Sequence, residues 1–161
     1  MTRLLPFLIL GSLVAGGPLG GPLGGPLGGP LGAADLASIR SAPNLEKRAD
    51  LAVDYAVKYV GVARDAYETG RMADMTTALE EIGAAVELAL KSLRATGKNA
   101  SKSPKHFKKA ELNSRGLLKR LNSLIDDLSV DEREPAEKAR ERVRKVQEAL
   151  LLDIMGGGKR R

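Results

Sequence analysis

The chain contains no cysteine and no tryptophan, and only 3% of its 161 residues are aromatic. Without a thiol there can be no disulfide, no thiolate zinc site, no c-type haem attachment, no lipid-modified cysteine and no cysteine nucleophile. The shortage of aromatic residues, with Ala and Leu abundant, disfavours sheets and suits close helix packing. One histidine, His106, leaves haem or metal chemistry a single imidazole, and the Glu-x-x-His motif of di-iron bundles is missing. Gly97-Lys98 has no glycine-rich run or strand before it, so it does not read as a phosphate loop. No nucleophile, base and orienting group can be assembled from these residues, so the expectation is a protein with no catalytic, cofactor or metal residues.

Charge is scarce at one end. Residues 1–34 carry one charged side chain, Arg3, whereas everything beyond Ala34 is rich in Lys, Arg, Asp and Glu. Arg3, the apolar run at residues 4–15 and the small residues Gly32-Ala33-Ala34 have the layout of a cleavable secretory signal, with cleavage before Asp35. Gly-Gly-Pro-Leu occurs four times between residues 16 and 31. Removing three copies leaves a leader of about 22 residues, an ordinary signal length, so the repeat reads as a tandem expansion. A retained membrane anchor is the alternative. Against it, Pro18, Pro22, Pro26 and Pro30 would break a spanning helix at every turn. The signal implies an exported protein, periplasmic or extracellular.

After a linker at residues 35–44, a 100° step per residue predicts four amphipathic helices. The first, 45–69, aligns Leu45, Ala49, Ala52, Ala56, Tyr59, Val60, Ala63 and Tyr67. The second, 72–96, aligns Met72, Met75, Leu79, Ile82, Val86, Leu90 and Leu93. The third, 104–128, starts with Ser103 as cap and Pro104 in the first turn, and aligns Phe107, Ala110, Leu117, Leu118, Leu121, Leu124, Ile125 and Leu128. The fourth, 131–155, has a narrow coiled-coil-like seam of Ala136, Ala139, Val143, Val146, Leu150 and Ile154. Its start is contested, because a Ser129–Glu132 capping box would put Pro135 in the second turn. If the seam is not filled within the chain, it favours a dimer. The carboxylate pairs Glu80-Glu81, Asp126-Asp127 and Asp131-Glu132 fall on outward arcs, and residues 156–161 form a glycine-rich basic tail.

Short turns between four similar helices predict an all-α fold, an antiparallel up-down four-helix bundle. Stacked helix pairs of the α-solenoid kind would give the same pattern, but no consensus recurs at a fixed period. Residues 98–120 hold eight basic residues against one acid, Glu111. Lys105, Lys108, Lys109, Arg115, Lys119 and Arg120 share one arc of the third helix, with Leu112 in its midst. That arc reads either as a solvated outer face or as an anion-binding face for phosphate head groups, a glycan surface or an acidic partner protein. Nucleic acid is disfavoured, because no aromatics alternate with the cations to stack on bases.

The run Gly97-Lys98-Asn99, the stretch Ser103-Pro104-Lys105-His106-Phe107-Lys108-Lys109-Ala110-Glu111, then Leu117-Leu118-Lys119-Arg120-Leu121, Ser129-Val130-Asp131-Glu132-Arg133 and Leu150-Leu151-Leu152-Asp153-Ile154-Met155-Gly156 resemble small uncharacterised bacterial proteins that join a signal peptide to a helical-hairpin bundle. The resemblance covers most of residues 45–156. It implies a location in the bacterial envelope and no particular activity. The expected function is therefore an exported, non-enzymatic interaction module for an unknown protein partner, or a polyanion or membrane-surface binder that uses the basic arc.

Overall fold

The structure, a computed structural model, describes residues 35–156; the expected signal peptide or anchor, its repeat and the tail from residue 157 onward lie outside the described residues. Among the described residues the chain is all-helical, with α1 (Leu36–Ser41), α2 (Leu45–Glu68), α3 (Met72–Ala95), α4 (Lys105–Asp127), a 3-10 turn (Val130–Glu132) and α5 (Arg133–Ile154). None of these helices is long and apolar enough to cross a membrane.

The segment expected to be a linker, 35–44, instead contains α1. The Asp35 carboxylate accepts from the Ser38 amide at 2.6 Å, and Leu36 and Ile39 bury themselves in the core. Asn44 caps α2 in the same way, accepting from Lys47 N at 2.8 Å. Gly70, at φ +72°, lets the chain reverse from α2 into α3, a conformation that a Cβ would oppose.

Ser103 does not cap α4. Its backbone is tied one residue too early, donating to the Asn99 carbonyl at 2.8 Å, and Pro104 becomes the capping position. The contested start of α5 resolves simply. The Ser129 hydroxyl donates to the Glu132 carboxylate, the 3-10 turn takes up the intervening residues, and the helix proper begins at Arg133. Pro135 thus falls in the first turn, where its missing N–H had no intrahelical acceptor to lose.

The apolar stripes meet in one core. Leu79, Ile82, Val86, Leu93, Leu117, Leu121, Leu124, Val143 and Leu150 are fully enclosed. α2 packs most extensively on α3, and both helices bury many small side chains, Ala49, Ala52, Ala56, Ala63 and Ala66 on α2 and Ala78, Ala85 and Ala89 on α3, which lets helices approach closely. The α5 seam closes within the chain, with Ala136, Ala139, Val143, Val146 and Leu150 all buried.

The hairpin α2–α3 lies beside the hairpin α4–α5, with α2 against α4 and α3 against α5. Asp50 pairs with Lys109, and Arg64 further along α2 meets Ser123 and Asp127 further along α4. Glu87 pairs with Arg142 and Arg94 with Asp153, again in the same order. Helices in contact across the hairpins therefore run in the same sense. The ring of antiparallel neighbours expected of an up-down bundle is not what these ion pairs describe. Each short turn fixes one antiparallel pair, while the longer connection at residues 96–104 leaves α4 free to lie against α2 instead of its sequence neighbour α3, and the two pairs stack broadside.

Gly83 is where α3 admits α5. The Arg142 guanidinium lies against it, donating from Nη1 to the Glu80 carbonyl at 3.1 Å and from Nε and Nη2 to the Glu87 carboxylate at 2.7 and 2.9 Å. A Cβ on Gly83 would overlap that guanidinium. Gly83→Ala should gain about 1 kcal/mol of helix propensity and lose a similar amount by displacing Arg142, leaving stability nearly unchanged. In an Arg142→Ala background the same substitution should stabilise by about 1 kcal/mol. Denaturant unfolding of the four proteins reads this coupling, and strictly additive effects would refute the contact.

Candidate functional site

Helix α4 carries the basic arc. Lys105, Lys108, Leu112, Arg115 and Lys119 follow one another at alternating steps of three and four residues, so they form one stripe roughly 21 Å long at 1.5 Å per residue. Lys109 and Arg120 flank it. All six predicted cations are exposed, and Leu112 among them is 59% exposed. The opposite arc, with Phe107, Ala110, Leu117, Leu121, Leu124 and Ile125, faces the core and fixes the direction in which the stripe looks.

The six cations do not share one environment. Lys109 donates to Asp50 of α2 at 3.0 Å, and that carboxylate raises its pKa above the ordinary lysine value. Arg115 donates to Glu111 at 2.6 Å. Among the described residues, Lys105, Lys108, Lys119 and Arg120 have no acidic partner. The structure thus divides the predicted face into two cations committed to ion pairs and four directed at solvent.

At the N-terminal end of α4 a charged cluster joins three segments. Lys98 donates to Glu46 at 2.8 Å, and His106 lies 3.6 Å from both Glu46 and Asp50. The Lys98 hydrogen bond lowers the Glu46 pKa, and the charge of His106 adds to the shift. The histidine is thus a half-buried neighbour of two α2 carboxylates that helps tie α4 to α2.

Glu111, the one acid in the basic run of residues 98–120, is only 5% exposed. Burial pushes its pKa upward, but hydrogen bonds from Gln147 of α5 at 2.8 Å and from Arg115 outweigh burial, and the net shift is downward. Its charge therefore lies beneath the stripe and also fastens α4 to α5. Glu81, expected to point outward, is half-buried and accepts the hydroxyl of Tyr55, whose pKa burial and this carboxylate drive upward.

Periodicity also passed over an exposed apolar patch at the end of α5, formed by Leu151, Leu152 and Met155. The Glu111–Gln147 contact sets the register of the α4–α5 hairpin, so the last turn of α5 runs alongside the first turn of α4, which holds Lys105 and Lys108. The clue in the sequence was a pair of leucines next to the seam position Leu150, where a strict seam needs only one.

With this geometry in view, comparisons with protein-family models, curated proteins and solved structures return no match.

Because the folded Glu111 pKa is depressed, its contribution to stability is complete above the ordinary carboxylate value of 4.5 and is lost as pH falls through the lower folded value. Glu111→Gln should cost about 1–3 kcal/mol at neutral pH and progressively less toward acid. Unfolding titrations at neutral pH and below pH 4 test this, and a pH-independent penalty would contradict it.

Proposed function

We propose that this chain is an exported, non-catalytic helical protein that works by contact with another macromolecule, and that its working surface is the outward face of α4 laid on an anionic membrane surface. The observation that carries this reading is the group of four exposed cations, Lys105, Lys108, Lys119 and Arg120, without acidic partners among the described residues, in register with exposed Leu112. Phosphate head groups attract such a stripe at about 1 kcal/mol per basic residue near the surface. The apolar patch of Leu151, Leu152 and Met155 at the Lys105 end offers side chains that gain by leaving water, which a purely polar docking face would not need.

Export is part of the same proposal. It rests on the leader, with Arg3 ahead of an uncharged apolar run, and on the small residues 32–34, which stop immediately before the Asp35 that caps α1. The resemblance to exported bacterial helical proteins points the same way. A four-helix bundle is the coarse architecture in this reading, realised as two hairpins placed side by side. The wider alternative is an interaction module for a protein partner, with the same stripe meeting an acidic surface.

Two measurements test the proposal. Binding to vesicles containing phosphatidylglycerol should fall at least about tenfold between low and high salt, and as much again in the Lys108→Glu, Lys119→Glu double variant. Neither side chain bonds to the fold, so circular dichroism of the variant should be unchanged. Binding that ignores salt and the double variant, or that is equally strong to zwitterionic vesicles, would end the membrane reading. Expression of the full chain in a bacterial host should yield an exported product beginning at Asp35. An uncleaved product retained in the cytoplasm would remove the export half.

A further inference from the structure

A second basic feature lies away from α4, in the angle formed by α1, α2 and α3. An open-sided cavity of about 540 Å³ lies there, within the size range of small-molecule sites. It exists because α1 folds back onto α2 and α3, so nothing in the four-helix pattern announced it. Leu45 of α2 and Ala84 and Leu88 of α3 supply its apolar lining. Arg40 of α1, Arg48 of α2 and Lys91 of α3 bring three positive charges to it from three different helices.

These charges are uncompensated in a specific way. Glu87 is the acid on the wall, and both of its oxygens are taken by Arg142. Arg40 and Lys91 have no ion-pair partner among the described residues. Arg48 is oriented by the Ala42 carbonyl, to which both its Nε and its Nη2 donate, and these bonds leave the Nη1 donors free. Ser92, only 2% exposed, also lines the cavity, and its hydroxyl has no hydrogen-bond partner. A buried hydroxyl left unpaired is unusual and costs free energy, and this one lies just behind the cavity wall.

We propose that this cavity binds a small amphiphilic anion, with a carboxylate or phosphate head among Arg40, Arg48 and Lys91 and an apolar body against Leu45 and Leu88. The convergence of charges from three helices distinguishes it from the α4 stripe, whose cations follow one helix and face outward. An anion held here bridges α1 to α2 and α3, so occupancy also fastens the short first helix to the body of the fold.

The test is isothermal titration of the full chain with sodium decanoate, decyl phosphate, decanol and inorganic phosphate. One of the two amphiphilic anions should bind saturably at one molecule per chain, and the tighter of the two names the head group. Decanol, which lacks the charge, and inorganic phosphate, which lacks the chain, should each bind at least about tenfold more weakly. Arg40→Gln with Lys91→Gln should weaken the anion at least about tenfold; both side chains are exposed and bond to nothing else in the fold, so the variant remains folded. Lys108→Glu with Lys119→Glu should leave this affinity unchanged, which separates the cavity from the α4 face. The proposal is overturned if neither anion saturates, if decanol binds as well as decanoate, or if the Arg40, Lys91 variant binds normally.

Discussion

Four apolar stripes, each too narrow to stabilise its helix alone, share a single core, and every surface feature of the protein depends on that arrangement. Most helical stability in a protein comes from packing an amphipathic face and not from propensity, and without cysteine no crosslink can lower the entropy of the unfolded chain. Stability must come from apolar area removed from water at the meeting of α2, α3, α4 and α5, where Leu79, Ile82, Leu117, Leu121, Leu124 and Leu150 are completely enclosed. α4 shows the consequence most clearly. Its outer arc is so charged that only the opposing row of Phe107, Ala110, Leu117, Leu121 and Leu124 keeps it helical and oriented. If that row were not buried, the basic stripe would lose the geometry that makes it one surface.

Burial alone does not say how the hairpins align, since leucines slide past one another at little cost. Polar ties at the edges of the core make that choice. Asp50 with Lys109, Arg64 with Asp127, Glu87 with Arg142 and Arg94 with Asp153 each match one level of a helix to one level of its neighbour. Most of these groups are partly exposed, so each pair contributes little net stability. Their value lies in discrimination, because a shift of one turn would leave all four unmet at once. Arg142 does more than the others, since Gly83 gives its guanidinium room against α3 and a backbone carbonyl of that helix to bond.

The all-helical class was legible in the sequence because each long segment shows one stripe at helical period; most stripe residues are buried, while Leu45, Tyr59, Tyr67, Met72, Leu90, Leu118 and Ile154 are only partly so, and Val53, Tyr55 and Ala78 enter the core from beside the stripes. α1 was not legible, since six residues allow less than two turns and only Leu36 and Ile39 to mark a face. Glu111 and Ser114 were missed for a different reason: a wheel scored by apolar residues cannot distinguish a buried polar side chain from a solvated one. Helix pairing was also hidden. A stripe states which face is buried but not against which neighbour, and the register that joins α2 to α4 lies in pairs some 59 residues apart, such as Asp50 with Lys109. The cavity beneath α1 could not be inferred once α1 itself was read as a linker.

The two basic features obey different electrostatics. Along α4 the cations are exposed and spaced over several turns, so an interaction with a charged surface is a sum of weak, screened terms that decays over about 8 Å at physiological salt. Asp126 and Asp127 close the stripe at its C-terminal end, and Asp127 is itself drawn to Arg64. The charge is thus confined to the part of α4 nearest the apolar end of α5. In the cavity, by contrast, the lining excludes part of the solvent and Arg48 is already oriented. Screening is weaker there and one of the three cations is already held in place, so a single anionic head meets charges that converge on it from three helices, which a row of lysines along one helix does not offer. One fold therefore carries two distinct kinds of positive surface, a stripe of exposed cations along one helix and a cluster of three cations that converge from three helices.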